Sequence, residues 1–220
     1  MKAFDPRRVF LGWQWMLRRD ARHLVPLGGL WAGLSAVILL AQTQTEMGLG
    51  LLIWALNVPF YAVAMALALD GDQRSLARSS DLLRRRLGDI FVVMAVADLA
   101  ASIGFVFLVI PGFFVMAWLC LALPILLMES QQPVEALQTS AARTRRTYPP
   151  ILGLVFIGQV AVWIVRGSLN AIAEGVSGLI VQTIVAAGVG AATGLAFIYL
   201  IAAIYSEQRH ISAPNANTHH

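Results

Sequence analysis

Residues 90–128 contain one charged side chain, Asp98, and are otherwise almost wholly apolar. As a single helix rising about 1.5 Å per residue, that stretch would be roughly 58 Å long. The hydrocarbon of a bilayer is only ~30 Å thick, so the stretch must fold back on itself. Its one turn signal is Pro111-Gly112. Proline suits the first central position of a tight turn and glycine the second. The reading is an antiparallel hairpin with arms 90–110 and 113–128, in which Pro124 removes a backbone donor and kinks the second arm. The composition agrees with a lipid environment. The chain is 58% hydrophobic and 13% charged, where soluble domains carry about 25% charged residues.

The same apolar pattern predicts spans over 24–41, 48–69 and 178–205, and a further one beginning at 151–165. The span over 178–205 is long enough to tilt. Polar segments at 42–47, 70–89, 129–150 and 166–177 connect them. The expected fold is an all-α polytopic membrane bundle, with about six transmembrane helices arranged as three hairpins. It forms one domain over residues 1–207, followed by a disordered cytoplasmic tail at 208–220. The basic stretch up to His23 is not followed by an A-x-A cleavage site, so 24–41 reads as a retained span.

Six spans place every lysine and arginine except Arg166 on one side of the membrane. Positive residues favour the cytoplasm, so both termini are expected inside a bacterial inner membrane. The net charge of +4 could suggest nucleic acid as a partner. The charges instead sit in short blocks beside apolar runs, where they meet lipid headgroups. The expected partners are therefore membrane lipids, anionic ones above all, and a protein partner or a second copy, with no nucleic acid.

Three of these blocks, Arg18-Arg19, Arg84-Arg85-Arg86 and Arg145-Arg146, each close a polar segment that feeds into a span. They are the expected headgroup contacts. Their spacing suggests three units, each a cytoplasmic amphipathic helix followed by a hairpin. A simple positive-inside bias would produce the same pattern. Expected apolar stripes are Phe10, Trp13, Leu17, Ala21 and Leu24, then Leu76, Leu83, Leu87 and Ile90, then Val134, Leu137 and Ala141. Such basic amphipathic helices lie well in an anionic leaflet or cover the ends of a bundle. Pro133 suits the first position of the third helix and Glu135 its N3 position.

Chemistry-bearing patterns are scarce. The chain has no HExxH, cysteine cluster, P-loop or nucleophile elbow. Its histidines, His23, His210, His219 and His220, lie outside the spans. No catalytic, metal-binding or cofactor-binding constellation is therefore assigned. Asp98 is the informative residue, because an ionised aspartate in mid-membrane costs roughly 2.5–3.5 kcal/mol. Tyr61 and Gln159 sit at matching depths, and Ser102 lies one turn along from Asp98. A cluster of Asp98, Tyr61, Gln159 and Ser102 could hold a proton or cation, anchor a headgroup, or simply hydrogen-bond helix to helix. Arg166 is expected to pair with Glu174 or to reach the outer interface. Gly29/Gly33 and Gly190/Gly194 have the spacing that permits close helix approach.

Residues 110–146 read IPGFFVMAWLCLALPILLMESQQPVEALQTSAARTRR. Pro111, Gly112, Pro124, Glu129, Glu135 and Ser140 mark a pattern that resembles a bacterial membrane family. That family is the membrane domain of glycerophosphoryl diester phosphodiesterase, together with its stand-alone relatives of unknown function. The resemblance implies a six-span inner-membrane protein. It does not imply the phosphodiesterase activity, which in fused members belongs to a separate soluble barrel. The expected function is a non-catalytic protein that organises membrane lipid or serves a partner as a membrane subunit. The alternatives are a small transporter or channel using Asp98 and, with least support, an enzyme acting on lipid phosphates.

Overall fold

A computed structural model describes residues 4–44, 50–70, 76–107, 109–129, 131–176 and 178–212. Among them the chain is almost entirely helical, in eight segments: α1 (Pro6–Gln44), α2 (Gly50–Asp70), α3 (Leu76–Phe107), α4 (Val109–Leu119), α5 (Ala122–Glu129), α6 (Pro133–Arg146), α7 (Tyr148–Val176) and α8 (Leu179–Ser212). Five stretches are long and apolar enough to cross a membrane: Pro6–Leu40, Arg84–Phe107, Ile110–Glu129, Tyr148–Leu169 and Ile180–Ile211. A shorter apolar helix, Trp54–Leu69, lies within α2.

Several expected boundaries move. The first two basic segments are not separate helices, because α1 and α3 run unbroken from their arginines into their apolar halves. Only α6 stands apart. Asp5 starts α1 by accepting the Arg7 backbone N–H at 2.9 Å. The expected loop at 166–177 is helical as far as Val176, and α8 continues to Ser212, so 208–212 is helix. The rest of the predicted tail, parts of the 42–47 and 70–89 connectors, and the side chains of Glu174 and Arg146 lie outside the described residues.

Pro111 and Gly112 do not form the turn between the hairpin arms. They lie inside α4, which begins at Val109. The role of Gly112 is packing. A Cβ on Gly104 of α3 would meet the Gly112 Cα at 2.8 Å, and one on Gly112 would strike the Phe105 ring. The missing side chains let α3 and α4 cross closely. Pro124 acts as expected: the arm breaks at Cys120–Leu121, just before it, into α4 and α5. Proline clashes with the carbonyl four residues back and cannot donate to it.

The apolar core runs along α5, the inner face of α8 and parts of α2 and α3, with Leu121, Ile125, Leu126, Ile198 and Ile204 fully buried. Helix α1 packs chiefly against α8 rather than against α2. Gly194 makes this approach possible, since a Cβ there would meet the Trp31 ring at 2.6 Å. Gly29 and Gly33 have nothing within 4 Å, and Gly190 only Arg166 at 3.9 Å, so neither expected glycine pair acts as a pair.

Candidate functional site

One end of the bundle is tied together by polar side chains from every basic segment. Arg19 makes a double contact with Asp20 at 2.7 and 2.8 Å, and Asp20 also accepts from the Tyr199 hydroxyl at 2.9 Å. Arg19 further donates to the Leu67 and Ala68 carbonyls at 3.2 Å. These belong to the last turn of α2, where carbonyls lack helical partners and attract cations. Arg86 does the same for α5, donating to the Leu126 carbonyl at 3.1 Å and to Gln131 at 3.4 Å. In the third unit Gln208 of α8 donates to the Thr147 hydroxyl.

Two of the expected headgroup contacts, Arg19 and Arg86, are thus engaged inside the protein. Arg18, Arg84, Arg85 and Arg145 are exposed. The apolar stripes shift as well. In the basic part of α1, Trp13, Leu17 and Leu24 pack against the core as expected, but Val9 and Met16 are the more deeply buried apolar residues, and Phe10, Leu11 and Trp15 face outward. Trp13 reaches α8 through its indole N–H, which donates to the Ala196 carbonyl at 2.9 Å. On the second segment Ile90 is buried and Leu87 is exposed. On α6 the buried face is Ala136, Ser140 and Thr144, four residues apart, and Val134 points outward.

The motif residues around α4–α6 have concrete structural roles. The Ser140 hydroxyl donates to the Trp118 carbonyl at 2.7 Å, and the Cys120 thiol donates to the Ala117 carbonyl at 3.2 Å. Both carbonyls lie in the last turn of α4, next to the break. Glu135 accepts the Gln132 backbone N–H at 3.3 Å, which caps the start of α6. Glu129 receives both Arg143 guanidinium nitrogens, at 2.5 and 2.7 Å, and the Tyr205 hydroxyl at 3.0 Å. The bond to Glu129 raises the pKa of the Arg143 guanidinium above its usual value.

Deeper in the bundle lies a cavity of about 340 Å³. Trp54, Asn57 and Tyr61 from α2, Asp98 from α3 and Gln159 from α7 line it, beside methionines and Phe197. Three of the four clustered residues read from sequence therefore share one space. Ser102 does not join them and is exposed on α3. Sequence reasoning missed Trp54 and Asn57. The signal was available, since Trp54, Asn57 and Tyr61 recur at three- and four-residue steps on α2. The Trp54 indole N–H donates to Asp98 Oδ2 at 2.6 Å. The Trp31 indole of α1 donates to Asn57 Oδ1 at 2.5 Å, and its ring meets Tyr61 edge-on at 5.1 Å. Asp98 is still accessible, so the cavity reaches the bundle's flank there.

Arg166 lies farther along α7 and turns to α8. It donates to the Thr193 hydroxyl at 3.0 Å and to the Gly190 carbonyl at 3.1 Å. Its partners thus lie on a neighbouring helix.

A second concavity, a wide apolar groove of about 450 Å³, runs between α1 and α8. Leu17, Ala21, Val25 and Gly29 border it on α1, and Gly188, Ala191 and Leu195 on α8. Arg18 and Arg22 are exposed on the same face of α1 as Val25 and Gly29. Among the described residues no three histidine, cysteine or acidic side chains converge as metal ligands. Comparison of the chain with family models, curated proteins and solved structures yields no match.

Proposed function

We propose that this chain is a non-catalytic polytopic protein of a bacterial inner membrane that holds and organises anionic phospholipid. The bundle crosses the membrane six times, with α2 as the sixth span and both termini in the cytoplasm. The arginine-bearing end then faces the inner leaflet. The observation that carries this reading is the groove between α1 and α8, with Arg18 and Arg22 exposed on the same face of α1 as its lining residues Val25 and Gly29. An acyl chain fits an open apolar groove, and a phosphate suits two exposed guanidinium groups at the headgroup level. Exposed Phe10, Leu11 and Trp15 beside Arg7 and Arg8 support the same placement in the interface. The resemblance of residues 110–146 to stand-alone membrane relatives is in keeping with it, because Gly112, Pro124, Glu129, Glu135 and Ser140 have architectural roles.

The test is retention of phosphatidylglycerol by the protein in nanodiscs, read by native mass spectrometry. Arg18→Gln with Arg22→Gln should shed most of the tightly held lipid, as each basic residue near such a surface contributes about 1 kcal/mol. Equal retention by variant and wild type would overturn the reading. It would point to a partner helix or a second copy in the groove. A second reading, a small transporter or channel, is favoured by one observation: Asp98, Tyr61 and Gln159 share the inner cavity.

A further inference from the structure

We infer that the Asp98 cavity is a binding site for a lipophilic organic cation that enters from the bilayer across the exposed flank of α3. This deepens the second reading and does not depend on the lipid groove.

The charge of the ligand follows from the lining. Asp98 supplies a carboxylate, and no lysine or arginine lines the cavity among the described residues. When ionised, a carboxylate only accepts hydrogen bonds and has about four lone-pair sites. Trp54 occupies one of them, on Oδ2. The cation in the neighbourhood, Arg166, is held by Thr193 and Gly190 and does not cover the carboxylate. A charge at this depth is costly without a partner, and a bound cation would be that partner.

The organic character follows from the rest of the wall. Trp54, Tyr61 and Phe197 line the wall, and aromatic rings attract cations most strongly when water is excluded. Met65, Met94 and Met116 add flexible, polarisable surface that adapts to irregular apolar shapes. A volume of about 340 Å³ lies within the usual ~300–1,000 Å³ of small-molecule sites. One carboxylate with amide and hydroxyl neighbours is a poor cage for a divalent metal, which seeks six or more oxygens as Ca²⁺ does, or an ordered octahedron as Mg²⁺ does.

The route follows from exposure. Val96, Leu99 and Ile103 are exposed along α3 on either side of accessible Asp98. A cation already dissolved in the membrane can thus reach the carboxylate sideways, with its apolar body still in lipid.

The experiment uses the full chain in phosphatidylcholine nanodiscs and a fluorescent styryl N-methylpyridinium dye. Saturable binding is expected, weaker by about tenfold or more in Asp98→Asn and retained in Asp98→Glu. The uncharged styrylpyridine parent should compete poorly. Ala97→Leu, which fills the cavity beside Asp98 without touching its charge, should also abolish binding. It keeps the test open should Asp98→Asn fold badly. Absence of saturable binding, equal binding by folded Asp98→Asn, or equal competition by the neutral parent would overturn the proposal. Phosphatidylglycerol retention should be the same in Asp98→Asn and wild type, so this inference and the lipid reading fail separately.

Discussion

The Ser140 hydroxyl donates to the Trp118 carbonyl at 2.7 Å, joining α6 to the break in the apolar arm α4–α5. Backbone groups freed in a membrane need a partner, since lipid supplies none. Pro26 and Pro59 lie inside unbroken helices, so proline alone does not account for the break at Cys120–Leu121. What distinguishes Pro124 is the set of donors, Ser140 and Cys120, that meets carbonyls in the last turn of α4.

This relationship predicts a coupling. Ser140→Ala should cost about 1–3 kcal/mol, because it takes from the Trp118 carbonyl a bond that lipid cannot replace. Melting in detergent should fall by several degrees. Pro124→Ala restores a backbone donor and lets the arm close into one helix. In that background Ser140→Ala should cost less, with an interaction energy of about 0.5 kcal/mol or more. Strictly additive effects would show that the hydroxyl and the break are unrelated.

The block Arg84-Arg85-Arg86 should separate into two roles. Arg84 and Arg85 are exposed, whereas Arg86 bonds the Leu126 and Gln131 carbonyls. Arg84→Gln with Arg85→Gln should lower affinity for anionic vesicles by about 1 kcal/mol per charge and leave the melting temperature nearly unchanged. Arg86→Gln should do the reverse, since a bond from a charged donor is worth about 1.5–3 kcal/mol. Identical effects of the two variants on both readouts would defeat the division.

Glycine substitutions should differ sharply by position. Gly112→Ala places a methyl group against the Phe105 ring, and Gly104→Ala places one 2.8 Å from the Gly112 Cα. Each should destabilise by about 1–3 kcal/mol through overpacking. Gly29→Ala meets nothing within 4 Å and should leave the melting temperature level or slightly raised, given alanine's higher helix propensity. Thermal unfolding of the three variants in one detergent decides it. A tolerated Gly104→Ala would mean that α3 and α4 do not cross so closely.

The proposed topology calls for reporter fusions at Gln44, Ala77, Gln138 and the C-terminus. Gln44 should report the outside and the other three the cytoplasm, following the arginine distribution. An external signal at Ala77 or Gln138 would refute six spans with cytoplasmic ends.

What the sequence determined by itself was set by local and one-dimensional physics. Runs of apolar residues must become helices in lipid, because no other open structure satisfies the backbone. The all-helical class and the membrane character were legible for that reason. So was the cap of α6, since Pro133 and Glu135 act within a single turn. Part of the inner site was legible too. Asp98, Tyr61 and Gln159 are rare polar residues at matching depths, and depth is counted along the chain.

Tertiary structure decided everything that depends on how helices face one another. Pro111-Gly112 read as a turn, yet the glycine serves the crossing of α3 and α4, because a small residue permits both and only the neighbour chooses. The Arg-rich blocks read as uniform headgroup contacts, yet Arg19 and Arg86 bind helix ends that lie 48 and 40 positions away. Ser102 shares a helix with Asp98 but faces outward, since one turn does not close exactly on the next. Trp54 became a partner of Asp98 only when α2 and α3 met. A chain shows where polar groups lie along each helix, but the rotation of each helix about its axis is set by packing, and that rotation selects the partners.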